Sequence, residues 1–192
     1  MHRILFLLSS AFLVAAAAPY QLAGIVIQDE ATVHYSRSID FGGWRHNPGD
    51  CMDTRNRILA DESVPNKLRI QDCIVRVGLW VDPYTGKSFT DPRKLDIDHL
   101  VPLAEAWRSG AWSWSKAKRI EYANDISDPE HLIAVSLIEN RKKGDRDPAG
   151  YMPPLATYRC LYLTNWVTVK RRWSLSMDKV ESSIVNNGLI GC

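Results

Sequence analysis

The stretch Lys94-Leu95-Asp96-Ile97-Asp98-His99-Leu100-Val101-Pro102 decides how the rest of the chain is read. Leu95 and Ile97 alternate with Asp96 and Asp98, the period-two pattern of a strand with one apolar and one polar face. Neighbouring side chains in a regular strand point to opposite faces, so Asp98 and His99 share a site only if the strand stops between them. The expectation is a strand from Lys94 to Asp98, with His99 turning into the loop that leads to Pro102.

Downstream, His131–Ser136 (HLIAVS) is an apolar run of strand length. Ser136-Leu-Ile-Glu139 is a capping box that starts a helix, and Gly144 is placed to end it. Asn140 and Lys143, three apart, share a face of that helix. Between the two strands, Ser115 caps a helix running to about Ala123, and Asn124, Asp125 and Pro129 break the chain. Upstream, Cys51–Ala60 reads as a helix with Asp53 or Thr54 as cap and Ile58 and Leu59 inward. Val75–Val81 reads as a strand and Asp82-Pro-Tyr-Thr-Gly86 as a turn. Residues 19–50 are a leading segment and loop around Trp44. Behind Asp178, the helical spacing of Met177, Val180 and Ile184 predicts a closing helix that packs these residues on the core.

Composition sets the compartment and the class. Arg3, the apolar run Ile4–Val14 and the small residues Ala15–Ala18 form a secretory leader, cut after Ala17 because Pro19 disfavours a later site. That run is shorter than the roughly 20 residues a membrane span needs, and no later stretch reaches that length. Residues 18–192 are expected to form a single exported domain. Four cysteines remain, Cys51, Cys73, Cys160 and Cys192, which permit three pairings. Cys51–Cys73 and Cys160–Cys192 are favoured, since each pair is adjacent in sequence and ties down one flank. The absence of C-x-x-C argues against a zinc knuckle or a thioredoxin-type redox site. Net charge is near zero, but residues 141–172 carry eight Lys and Arg against Asp145 and Asp147. A positive cluster of that kind suits a polyanion such as nucleic acid, with Arg141 and Lys142 as candidate contacts.

Phosphodiester hydrolysis needs a base for water, positive charge on the phosphate oxygens and a means of stabilising the departing alkoxide. Asp98 and Asn140 offer hard oxygen donors for Mg²⁺, and His99 offers a base that is half-neutral near its ordinary pKa of about 6.5. Asp96, on the face of Asp98, is an alternative ligand or a brace for one. Arg55 either clamps phosphate or holds the loop near Cys51, and Lys143 either contacts phosphate or favours the last helical turn as a cation.

The ordered set Asp96-Ile-Asp98-His99-Leu-Val-Pro102-Leu103, Glu105-Ala-Trp107 with Ser109-Gly110, Ala123-Asn124-Asp125, His131-Leu-Ile-Ala-Val-Ser136 and Asn140-Arg-Lys-Lys143-Gly144-Asp145 resembles the secreted HNH (ββα-metal) endonuclease family. The match extends to Cys51–Arg55 upstream and to Cys160, Trp166 and Lys170 downstream. The resemblance implies an α+β fold: a ββα-metal hairpin-helix core at about residues 94–148 embedded in additional helices. It implies Asp98 as first metal ligand, His99 as general base, Asn140 as second ligand, and one divalent ion, Mg²⁺ before Mn²⁺. The family's central Asn falls at His131, which either braces the hairpin and loop or joins the metal. The expected activity is endonucleolytic cleavage of DNA with low sequence specificity, with RNA as a second substrate. The rivals are a secreted polyanion-binding protein without catalysis and a hydrolase of another phosphodiester.

Overall fold

The computed structural model describes residues 22–46 and 49–192, and the leader expected at 1–17 lies outside the described residues. In chain order, a one-turn helix α1 (Arg37–Asp40) and α2 (Thr54–Asp61) precede four short strands, β1 (Arg69–Gln71), β2 (Ile74–Val77), β3 (Trp80–Val81) and β4 (Ser88–Phe89). Then come β5 (Leu95–His99), α3 (Leu103–Arg108), α4 (Lys116–Ala123), β6 (Leu132–Ser136) and α5 (Leu137–Lys143). Two longer helices, α6 (Arg159–Arg172) and α7 (Lys179–Ile190), close the chain. The strands pair antiparallel as three separate two-stranded sheets, so the class is mixed α+β with small hairpins.

The hairpin that matters is β5–β6. Its register runs from Leu95↔Ser136 to His99↔Leu132, and the Leu100 amide continues the ladder to the His131 carbonyl at 3.0 Å. The strand therefore does not stop at Asp98 as the alternation suggested. Leu132 and the His131 carbonyl supply partners for His99 and Leu100, a long-range pairing that a local pattern does not reveal. On one face, Leu95, Ile97, Leu132 and Ala134 pack with Ile58 and Leu59 of α2 and with Val75 and Trp80. On the other, Ile133 and Val135 join the larger cluster of Tyr84, Tyr162, Trp166 and Val169. Helix α5 lies along this second face, the one that carries Asp96 and Asp98.

Local capping accounts for most helix boundaries. Asp53 accepts from the Asn56 amide, so α2 starts at Thr54 and not at Cys51. Ser115 caps α4, and Asp178 caps α7 by accepting from Val180 and Glu181. Ser136 caps α5, but the return half of the capping box is absent, because the Glu139 carboxylate takes Tyr151 Oη at 3.2 Å and Lys142 Nζ at 3.2 Å. The strand expected over Val75–Val81 is two strands, β2 and β3, parted at Gly78 and Leu79. A side chain at Gly78 would collide with the buried Trp80 indole, so the chain needs glycine where it turns past that ring. Both favoured disulfides form, Cys51–Cys73 and Cys160–Cys192, each with a Cα–Cα distance of 5.6 Å.

Helix α7 corrects one expectation. Met177 is buried, but Val180 and Ile184 are 63% and 41% exposed, and the inward residues are Glu181 and Val185. Glu181 turns in because a wholly buried ammonium waits for it: Lys170 Nζ lies 2.7 Å from Glu105 Oε1 and 2.6 Å from Glu181 Oε1. Ser109 Oγ at 3.0 Å and the Ser176 carbonyl at 2.8 Å complete the ammonium's surroundings. Lys170 bridges two buried carboxylates, of which Glu105 also takes Arg108 Nη2 at 2.9 Å. Burial works against charge on Glu105 too, but Lys170 and Ser109 outweigh it and bring that carboxyl down to about 2. Burial, with repulsion from Glu105, pushes Glu181 up to about 7.

The sign of the resulting pH dependence follows from linkage. Glu181 holds its proton more tightly folded than unfolded, so its contribution is fully present below its ordinary value of 4.5 and is lost as pH rises through about 7. Glu181→Gln, which keeps an acceptor for Lys170, should flatten the fall in melting temperature across that window. Parallel slopes for the two proteins in a circular-dichroism pH series would refute this assignment.

Candidate functional site

A cleft of about 360 Å³ opens at the end of β5, lined by Tyr35, Arg37, Asp98, His99, Asn140 and Arg141 together with Pro102–Ala104. Asp98 and His99 point from opposite faces of the hairpin, yet both reach this cleft because it sits where the strand ends.

His99 is fixed in position and in tautomer. Its ring lies between Trp44 (centroids 5.2 Å, planes 10° apart) and Tyr122 (6.3 Å, 11°). Nε2 is 3.0 Å from the Ala123 carbonyl. A carbonyl only accepts, so Nε2 carries the proton and Nδ1 keeps the lone pair. No hydrogen bond to Nδ1 is found among the described residues. Burial, with His131 nearby, holds the imidazole pKa well below the usual histidine range, so the ring is neutral at neutral pH.

Asp98 is 4% exposed and is enclosed by donors. Lys143 Nζ lies 2.8 and 2.7 Å from Oδ1 and Oδ2, and the buried Tyr84 hydroxyl donates to Oδ2 at 2.6 Å. Burial pushes the Asp98 carboxyl up and the Lys143 ammonium down, while each charge supports the other. Lys143 is therefore neither a solvated residue of the last turn nor, in this arrangement, a phosphate contact. Asn140, one turn earlier on α5, places Nδ2 3.4 Å from Asp96 Oδ2, and its Oδ1 has no partner among the described residues.

The other candidates divide. Arg141 lines the cleft, but Lys142 pairs with Glu139 and faces a separate pocket with Thr85 and Lys87. Arg55 donates to the Pro92 and Leu95 carbonyls at 3.1 and 2.9 Å, which fixes the start of β5, and it lines a different groove of about 590 Å³. His131 is wholly buried, bonded through Nε2 to the Tyr122 carbonyl at 2.6 Å, and does not line the cleft. The carbonyl it meets is next in the chain to that of Ala123, which takes His99 Nε2. The basic segment 141–172 is no continuous positive face. Lys143 and Lys170 are buried in ion pairs, Arg172 pairs with Asp125 and Asp128, and Arg159 bonds the Pro153 carbonyl.

Three residues of the site were not singled out by the sequence. Trp44 was only a landmark in a loop, Tyr84 a turn residue and Arg37 an unremarked cation. Arg37 is exposed, lines the cleft and sits 5.8 Å over the Trp44 ring. Nothing local marks any of them; their partners lie in distant parts of the chain.

The family of sequences described as GmrSD restriction endonucleases, C-terminal domain, matches residues 53–181. An uncharacterized secreted protein from Arthroderma benhamiae is 37% identical over 179 residues, 93% of this chain and 86% of the relative. No solved structure matches the chain. Among the described residues, no helix is long and apolar enough to cross a membrane.

Proposed function

The chain belongs to the family of GmrSD restriction endonuclease C-terminal domains, and from that membership we propose that its cleft hydrolyses nucleic-acid phosphodiesters, with His99 as general base. The observation that carries the proposal is the His99 tautomer. A neutral ring with its proton spent on the Ala123 carbonyl leaves the Nδ1 lone pair unused on a residue that lines the cleft, the state a base needs before the reaction. As Nδ1 takes a proton from water, the ring becomes cationic and the Ala123 carbonyl, already aligned, steadies that charge. Trp44 and Tyr122 keep the imidazole plane from rotating while this happens.

Asp98 and Asn140 are the residues that would hold a divalent cation. Their oxygens are the hard donors Mg²⁺ and Mn²⁺ prefer, and the ammonium already seated on Asp98 marks a place built for positive charge. Among the described residues no cluster of three or more His, Cys, Asp or Glu side chains is arranged for a metal, so a cation here would retain several waters. Bound there, it would offset charge on the phosphate and the departing oxygen. Arg37 and Arg141 flank the cleft and would take phosphates on either side. The protein is exported, as its disulfides and its secreted relative agree, and works on nucleic acid outside the cell.

DNA with little sequence preference is the proposed substrate, since the cations at the cleft, Arg37 and Arg141, suit backbone phosphates, which carry no sequence information. Digesting plasmid, single strands, RNA and small phosphodiesters in parallel, with and without chelator, tests this. Cutting of plasmid that stops with chelator is expected; cleavage of small diesters alone would reassign the substrate, and binding without cleavage would support the polyanion-binding rival. For the flanking arginines, each of Arg37→Ala and Arg141→Ala should reduce the slope of log affinity against log salt by about 1. An unchanged slope would remove that arginine from the substrate path.

A further inference from the structure

The carboxylate assigned to the cation is already occupied by a side chain of the protein. Lys143 Nζ donates to Asp98 Oδ1 at 2.8 Å, to Oδ2 at 2.7 Å and to the His99 carbonyl at 2.9 Å, which uses all three of its protons. The lysine side chain has no exposed surface and the aspartate almost none. A divalent cation on Asp98 would meet the ammonium on the same two oxygens, where two positive charges repel. A bare Asp98, on the other hand, would be a buried and uncompensated charge, costly to the fold.

Resting on the assignment of Asp98 and Asn140 as cation ligands, we propose that Lys143 is a latch: its ammonium fills the cation's place on Asp98 until a divalent ion displaces it. The arrangement keeps the metal-free protein free of an unpaired buried carboxylate. Lys143 is the last residue of α5, followed directly by Gly144 at φ +60°, so its flexible stem leaves from a helix end that lies beside the cleft. Once displaced, the ammonium needs an anion, and a backbone phosphate of nucleic acid in the cleft supplies one. Cation and nucleic acid then strengthen each other's binding, since each provides what the other's arrival leaves unpaired.

The test uses Mn²⁺ and the full exported chain. Binding is counted by the loss of the free Mn²⁺ electron paramagnetic resonance signal, which needs no catalysis. Lys143→Met should bind Mn²⁺ more tightly than wild type by about tenfold or more, because the competing charge is gone. A nuclease-resistant phosphorothioate oligonucleotide should tighten Mn²⁺ binding to wild type by about fivefold or more and leave Lys143→Met unchanged. Should the variant fail to fold, wild type alone decides. Acetylation with acetic anhydride, located by mass spectrometry, should leave Lys143 unmodified without metal and modify it at saturating Mn²⁺. Bound Mn²⁺ with Lys143 still protected, or equal affinities in the two proteins, would show that ammonium and cation coexist and would overturn the latch. Absence of Mn²⁺ binding by both proteins would overturn the ligand assignment beneath it.

Discussion

His99→Ala should lose about two to four orders of magnitude in the rate of plasmid cleavage, the usual contribution of a positioned general base. The loss should fall on kcat, because the ring takes no part in holding the substrate. Removing it opens a gap between Trp44 and Tyr122, so some stability will go with it. His99→Gln, which refills that gap with a planar polar group, separates the two effects: it should regain melting temperature and stay inactive. Cleavage by either variant at a rate near that of wild type would show that another group takes the proton.

The second large effect concerns the fold. Lys170→Met leaves Glu105 and Glu181, at 0% and 1% exposure, without their shared cation. Breaking a buried ion pair from one side costs about 3–5 kcal/mol. Against a total stability of about 5–15 kcal/mol, that is enough to leave much of the protein unfolded at physiological temperature. Glu105 keeps Arg108 Nη2 at 2.9 Å, so adding Glu181→Gln to Lys170→Met removes the carboxylate left without a cation and should recover most of the loss in urea denaturation. A loss below about 1 kcal/mol for Lys170→Met alone would mean that the network contributes like a surface pair.

What the sequence made legible was what neighbouring residues settle. Asp53, Ser115, Ser136 and Asp178 start the helices they cap, and the cysteine pairs close as their proximity suggested. The strand ladder of β5 was misjudged by one residue, because its last bonds depend on residues 131 and 132. The inference that His99 must leave the strand to share a site with Asp98 failed for a geometric reason: the cleft opens at the strand's end, where both faces are accessible. The partners of Asp98 were the least legible. Tyr84 and Lys143 lie 14 and 45 residues away, and their hydroxyl and ammonium meet one carboxylate only after the hairpin, the turn and α5 have packed. The basic run at 141–172 misled for the related reason that local charge says nothing about which cations are pulled inward.

The proposed hydrolysis depends on the state of one imidazole, which the ¹⁵N chemical shifts of the His99 ring report in the folded, metal-free protein at neutral pH. A protonated Nε2 beside a bare Nδ1, unchanged well below the ordinary histidine range, is the predicted result. A proton on Nδ1, or a ring protonated at both nitrogens at neutral pH, would contradict it.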